Sequence, residues 1–257
     1  MRLNQLAAQL YTVRDFCKTS ADLAATAKKI RAIGYPAVQV SGIGPIPYPE
    51  VRKIFEDEDL AICATHEPGA LIRSKPNEVV ERLREIGCTQ TAYPFPAGVD
   101  FSDPAQVSVL IEDLRRAGGV LSAEGISLSY HNHAIEFMRV EGVTILERIF
   151  SETAPHVLKA ELDTYWVQYG GGDPVAWCRH LAGRLPVMHL KDYGFTAGNK
   201  PAFAEIGAGN LDFRAIIAAA EQSGCEWFIV EQDTCPGHPF DSLRSSFEYI
   251  KEHLASV

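Results

Sequence analysis

The chain lacks the markers of several specialised classes. Its six cysteines, Cys17, Cys63, Cys88, Cys178, Cys225 and Cys235, form no C-x-x-C pair. They are far sparser than in a disulfide scaffold, so reduced thiols and a cytoplasmic location are expected. No apolar run approaches the roughly 20 residues that a membrane helix needs. The opening MRLNQLAAQLYTVRD has neither a long apolar core nor a small-residue cleavage site, and reads as a first strand rather than a secretion signal. Positive charge is short as well. With 24 Lys and Arg against 33 Asp and Glu, the net charge is −9, and the basic residues are scattered, which argues against a nucleic-acid partner. No G-x-G-x-x-G follows the first apolar run, and no G-x-x-x-x-G-K-[ST] occurs anywhere, so the common nucleotide loops are missing. Nor does any linker, low-complexity tract or composition break divide the chain.

What is present is an alternation. Strand-like runs, LAAQLYTV, AVQVSG, LAICATHE, TQTAYPF, SLSYHNH, LKAELDTYW, PVMHLKDY and WFIVEQD, are separated by amphipathic segments. Val79, Val80, Leu83 and Ile86 make one helical stripe, and Val107, Leu110, Ile111 and Leu114 another. Asp103-Pro104 and Asp173-Pro174 place a capping carboxylate ahead of a proline suited to a first helical turn. Gly34, Gly87 and Gly224 stand where helices should stop. The cluster GGGDP at 170–174 has no phosphate-loop lysine and reads as a turn plus a cap. Eight such alternations fit the ~250 residues of a (β/α)8 TIM barrel. The expectation is an α/β fold with one barrel domain over residues 1–257.

In a barrel, side chains at the C-terminal strand ends converge on one mouth. The polar residues there are Gln9, Tyr11 and Arg14 after strand one, and His66 and Glu67 after strand three. Strand five brings His131, His133 and Glu136, and strand six Glu161, Asp163, Tyr165 and Trp166. Strand seven brings His189, Lys191 and Asp192, and strand eight Glu231 and Asp233. Residues two apart share a face of a strand, so Glu161 aligns with Asp163, His189 with Lys191, and Glu231 with Asp233. A single His or Asp at a strand end is usually a hydrogen-bonded structural group. Carboxylates and an imidazole arriving from three adjacent strands are costly to bury unpaired, and a divalent cation offsets that cost. Such donors suit Mn²⁺, Mg²⁺, Co²⁺ or Zn²⁺. For the fourth ligand, strand parity ends with the strand, so Glu136 can curl over the mouth; it is favoured, with His131 and His133 as rivals. His66 reads either as a substrate contact or as a core histidine. Trp166 and Tyr93 read either as packing or as a face for a sugar ring. The acidic run FEDEDL at 55–60 reads as a solvated helix end, and His156, His180 and His253 carry no expected chemistry.

The motifs AQLYTVRD, YHNHAIEF, ELDTYWVQYGGGDPVAW, MHLKDY, IGAGNLDF and WFIVEQD, in this order, resemble the sugar phosphate isomerase/epimerase family of xylose isomerase-like barrels. The resemblance implies a barrel with one divalent metal, most often Mn²⁺, held by Glu, Asp, His and Glu. Carried over by position, the last three are Asp163, His189 and Glu231; the family's first Glu lies within the fifth strand, where residues 127–134 contain no acid, and Glu136 is the nearest candidate for it. Relatives often have an acid between the glycines of GAG at 207–209, where this chain has Ala208.

The reaction expected from this set is carbohydrate chemistry: isomerisation or epimerisation of a keto sugar or related polyol through an enediolate. Glu231 or Glu136 would remove the carbon-bound proton, and His66, His133 or Lys191 would shuttle protons or polarise the carbonyl. Gln9, His133 and Trp166 would contact substrate. The alternatives are an inosose dehydratase or 3-keto-glycoside lyase using the same enolate, and a sugar-binding barrel without catalysis. The partner expected is a small sugar or polyol, with no nucleic acid or membrane; a homo-oligomer is compatible with the sequence.

Overall fold

The computed structural model describes residues 1–256. Eight parallel strands pair in chain order and close into a barrel. They are β1 (Leu6–Gln9), β2 (Ala37–Val40), β3 (Ala61–His66), β4 (Gln90–Tyr93), β5 (Ser127–His131), β6 (Lys159–Asp163), β7 (Val187–Leu190) and β8 (Trp227–Val230). The (β/α)8 architecture read from the alternation is present. The strands are shorter than the apolar runs because their polar ends leave the sheet. After β1 the chain turns into a 3-10 helix over Leu10–Phe16, and after β6 it is helical from Thr164.

Ten helices are described: α1 (Ser20–Ile33), α2 (Tyr48–Asp57), α3 (Gly69–Ser74), α4 (Pro76–Ile86), α5 (Pro104–Ala123), α6 (Ile145–Ser151), α7 (Thr164–Tyr169), α8 (Pro174–His180), α9 (Phe213–Gln222) and α10 (Pro239–His253). The stripes expected from spacing are the buried faces of α4 and α5. The two Asp-Pro pairs act as read: Asp103 accepts from the Ala105 N–H, and Asp173 from those of Val175 and Ala176. Gly87 ends α4 in the left-handed region at φ 75°, where a Cβ would be strained. Two short antiparallel pairs decorate the mouth, Arg139–Val140 with Val143–Thr144 and Asp192–Phe195 with Pro201–Ala204. Among the described residues no helix is long and apolar enough to cross a membrane. The six cysteines are free thiols.

Two apolar clusters make the core. The larger fills the space between strands and helices. The smaller lies inside the barrel and consists of Ala7, Ala37, Cys63, Ala64, Val187 and Ile229, with Trp227 packed against it. Stepping two residues along β1, β2, β7 and β8 from these apolar positions reaches Gln9, Gln39, His189 and Glu231, which are buried too. The barrel interior is therefore small and apolar at its floor and polar towards the C-terminal rim.

Candidate metal centre

Asp163 closes β6 and caps α7. Its Oδ1 accepts from the Trp166 N–H at 3.1 Å, and its own N–H donates to Asn132 Oδ1 at 2.9 Å. Capping occupies one carboxylate oxygen and leaves Oδ2 buried in the barrel mouth without an aligned hydrogen-bond donor. Facing it at 3.4 Å is His131 Nε2, also buried and without a hydrogen-bond partner among the described residues. His131 Nδ1 lies 3.2 Å from the Pro94 carbonyl oxygen, to which it can only donate, and this aims Nε2 into the mouth. The Lys191 ammonium reaches Asp163 Oδ2 at 2.9 Å without hydrogen-bond alignment, so both buried atoms keep room for a further cation between them.

The neighbouring strands complete the set. His189 pairs in register with Asp163, and its Nδ1 lies 3.8 Å from Asp163 Oδ2 and 2.8 Å from Glu231 Oε2. The donor atoms of His131, Asp163, His189 and Glu231 all lie within 4.8 Å of one another, and all four residues are buried. Two imidazole nitrogens and two carboxylate oxygens from four adjacent strands make a site that can hold a metal ion, with donors closer to the preferences of Zn²⁺, Co²⁺ or Mn²⁺ than of Mg²⁺.

The chain supplies a cation of its own beside this set. Lys191 Nζ lies 2.9 Å from Asp163 Oδ2, 2.8 Å from Glu231 Oε2 and 2.8 Å from Asp233 Oδ2. Only the Asp233 contact has hydrogen-bond alignment. Burial opposes charge on the ammonium, but Asp163, Glu231 and Asp233 together hold its pKa well above the ordinary lysine value. Burial likewise opposes charge on His189, yet Glu161 and Glu231 raise it to about 10. For Glu231, burial is outweighed by Lys191 and His189, which hold the carboxyl well below its usual range. Asp233 goes the other way: burial and the Glu231 charge push it up despite Lys191.

One layer deeper lies a second polar group. Glu161 Oε1 bonds His66 Nε2 at 2.5 Å and lies 3.1 Å from His189 Nε2. Glu161 Oε2 accepts from Gln39 Nε2 at 2.6 Å. Gln39 Oε1 accepts from Gln9 Nε2 and lies 2.6 Å from His189 Nε2.

Thus Asp163, His189 and Glu231 meet, as their strand positions predict. Glu136 does not join them: Tyr130 OH donates to its Oε1 at 2.8 Å and the His133 N–H to its Oε2 at 2.8 Å, and burial pushes its carboxyl up. The rival His131 takes the fifth-strand place, because β5 runs one residue short of Asn132 and still directs His131 inward. Gln9 is fully buried, its NH₂ donating to Gln39 Oε1 and its Oε1 accepting from the Tyr11 N–H, and it is not among the residues lining the cavity described below. His66 Nε2 is bound to Glu161 and its Nδ1 lies 3.3 Å from Ser41 Oγ, although the ring still borders the mouth. The sequence reading missed Gln39. A lone polar residue at an inward position of the apolar run AVQV was its only signal.

Above the donors opens a cavity of about 300 Å³ lined by Tyr11, Ser41, His66, Phe95, His131, His133, Glu231 and Asp233, among others. His133 lies over Trp166 with ring centroids 5.4 Å apart; burial, then the nearby His131 and Lys191, lower its pKa to about 2, so its imidazole is neutral. Trp166 stands behind His133 rather than in the cavity lining, and Lys191 Nζ lies 5.6 Å from its ring centroid. The GAG segment is folded around Asp192, whose carboxylate accepts from the N–H groups of Tyr193, Gly207, Gly209 and Leu211 at 2.8 to 3.2 Å. A Cβ on Gly209 would sit 2.4 Å from Asp192 Oδ1, which explains the glycine. Ala208 is exposed on this loop.

An inosose dehydratase from Geobacillus kaustophilus (strain HTA426) is 32% identical over 158 residues, 55% of this chain and 51% of that protein. The chain thus spans about half the length of that relative. Another inosose dehydratase, from Clostridium perfringens (strain 13 / Type A), is 24% identical over 257 residues, with 85% of this chain and 86% of that one covered. The crystal structure of a sugar phosphate isomerase/epimerase from Parabacteroides distasonis ATCC 8503 superposes with a TM-score of 0.83 at 21% identity, covering 99% of this chain and 96% of that one. Residues 27–253 match the family model of the xylose isomerase-like TIM barrel. With a closed eight-stranded barrel and a family match over most of its length, the chain belongs to the xylose isomerase-like TIM barrel family.

Proposed function

We propose that the protein is a divalent-metal-dependent enzyme that removes a proton from the carbon beside a carbonyl of a polyhydroxylated ketone and then expels water. The observation that carries this reading is the buried donor set of His131, Asp163, His189 and Glu231 beneath a cavity that Glu231 and Asp233 also line. These four residues would hold the ion. When bound, the ion supplies Lewis-acid polarisation of the carbonyl and stabilises the charge that develops as the proton leaves. Mn²⁺, Co²⁺ and Zn²⁺ suit the donors best.

The other roles follow from the charged groups at the cavity. Glu231 stays ionised and would take the carbon-bound proton. The released electron pair forms a C=C bond as the C–O bond on the next carbon breaks. The departing oxygen would take its proton from the Lys191–Asp233 pair, whose Nζ and Oδ2 lie 2.8 Å apart at the cavity, and leave as water. Lys191 holds both carboxylates in place, and neutral His133, whose Nδ1 has no partner among the described residues, would bond a substrate hydroxyl.

Isomerisation or epimerisation shares the first proton transfer and differs in returning the proton to carbon. The two sequence relatives described above are inosose dehydratases, which favours elimination; the structural neighbour at 21% identity bears on the fold alone. The test is mass spectrometry of the Mn²⁺-loaded protein incubated in D₂O with inososes, ketoses and 3-keto-glucosides. Loss of one water from an inosose is expected, and E231Q should lower turnover by at least ~100-fold while remaining folded. Deuterium uptake without loss of mass would replace elimination with isomerisation. No change in any substrate would remove the enzyme reading for these compounds.

A further inference from the structure

We infer that Glu161 and Gln39, which are not among the residues lining the cavity although Glu161 also bonds His66 and could join His66 and His131 around an ion, are positioning residues that decide which nitrogen of His189 faces the metal. The inference rests on the metal-centred reading above. Its basis is the direction of the hydrogen bonds beneath the rim, which is dictated from both ends of the chain of contacts.

At one end is the backbone N–H of Tyr11, which can only donate. It is bonded to Gln9 Oε1 at 3.3 Å, so the Gln9 amide must turn its NH₂ towards Gln39. That NH₂ also only donates, and at 2.6 Å it requires Gln39 to present Oε1. At the other end is the Glu161 carboxylate, which as an anion can only accept. It lies 2.6 Å from the remaining side of the Gln39 amide and therefore requires the NH₂ there. Both ends demand the same orientation of Gln39. Its Oε1 then meets His189 Nε2 at 2.6 Å, with Glu161 Oε1 at 3.1 Å from the same nitrogen.

His189 Nε2 thus faces two oxygens and must carry a proton. The lone pair of the imidazole is available only at Nδ1, the atom turned towards Asp163 and Glu231. A histidine whose second nitrogen donates to an oxygen is fixed in ring orientation and is a stronger ligand for it. All three residues are essentially solvent-free, with Gln9 and Gln39 at 0% and Glu161 at 1% exposure, so water cannot replace the partner that is lost on substitution.

The test uses the full-length protein freed of metal and titrated with Mn²⁺, followed by electron paramagnetic resonance. Glu161→Gln supplies an NH₂ group where only an acceptor stood, and Gln39→Met removes the amide at similar volume. Each is expected to weaken Mn²⁺ binding by about 10- to 100-fold. Loading ¹⁵N-labelled protein with ¹¹³Cd²⁺ gives the second readout: cadmium coupling to His189 Nδ1 in the wild type, and its loss or transfer to Nε2 in the variants. Should E161Q fail to fold, Q39M carries both measurements. A purely structural role would lower the melting temperature but leave Mn²⁺ affinity and the coupled nitrogen unchanged, and that result in a folded variant overturns the inference. Failure of the wild type itself to take up either ion would instead overturn the metal-centred reading on which it stands.

Discussion

Asp163 shows how one side chain can serve the backbone and the site at once. Oδ1 caps α7 through the Trp166 N–H, and this is what aims Oδ2 at His131. Glu136, by contrast, spends both oxygens on Tyr130 and on the turn that starts at His133. The two residues should therefore respond differently to substitution. H131A is expected to weaken Mn²⁺ binding by at least ~10-fold with little change in folding, because it removes a donor from the set. E136Q should leave the affinity near that of the wild type while lowering stability by about 1 to 3 kcal/mol, since an amide presents a donor where two donors must be accepted. Titration calorimetry and denaturant unfolding of the two variants separate these effects. Equal loss of binding in both would restore Glu136 to the donor set. The sequence showed both residues but not the choice between them. Alternation predicts direction only while a strand lasts, and Glu136 lies beyond the last ladder bond, where packing decides.

Among the elements, the segment that follows β7 gains its shape from a single carboxylate. Asp192 gathers four backbone N–H groups, and Gly209 approaches it more closely than any residue with a side chain could. Burial pushes the Asp192 carboxyl up, and the N–H bonds offset this in part. D192A would leave those donors unpaired, at a cost of about 1 to 3 kcal/mol confined to this loop. Hydrogen exchange should quicken at Gly207, Gly209 and Leu211 while the strand amides keep their protection. Unchanged exchange at those three amides would mean that the antiparallel pair above them holds the loop instead. Helix starts were the most legible elements, because a capping Asp and its proline act within four residues. The GAG loop was not, because its organising group comes from 15 to 19 residues away.

For the molecule as a whole, the donor set ties four strands together, so an ion that binds only the folded state should raise its melting temperature. The size of that effect depends on pH through His189. Its folded-state pKa of about 10 lies above the ordinary histidine value, so in the metal-free protein its ion pairs stabilise the fold fully below about pH 6.5. That contribution is lost as pH rises towards 10, while the ion must displace the Nδ1 proton and binds more tightly over the same range. With one proton released, affinity should rise about 100-fold between about pH 6 and pH 8, worth about 2.7 kcal/mol at fixed ion concentration. Differential scanning calorimetry with Mn²⁺ and with chelator should show the gap in melting temperature widening with pH; a constant gap would mean that His189 releases no proton on binding. The sequence by itself determined the barrel, its helix caps and the meeting of Asp163, His189 and Glu231, because alternating hydrophobicity and capping are properties of neighbouring residues. Only the tertiary structure decided that His131 rather than Glu136 completes the set, that Gln9 is buried and that Gln39 and Glu161 lie beneath the rim, because those outcomes depend on which side chains from different strands reach the same few ångströms of space.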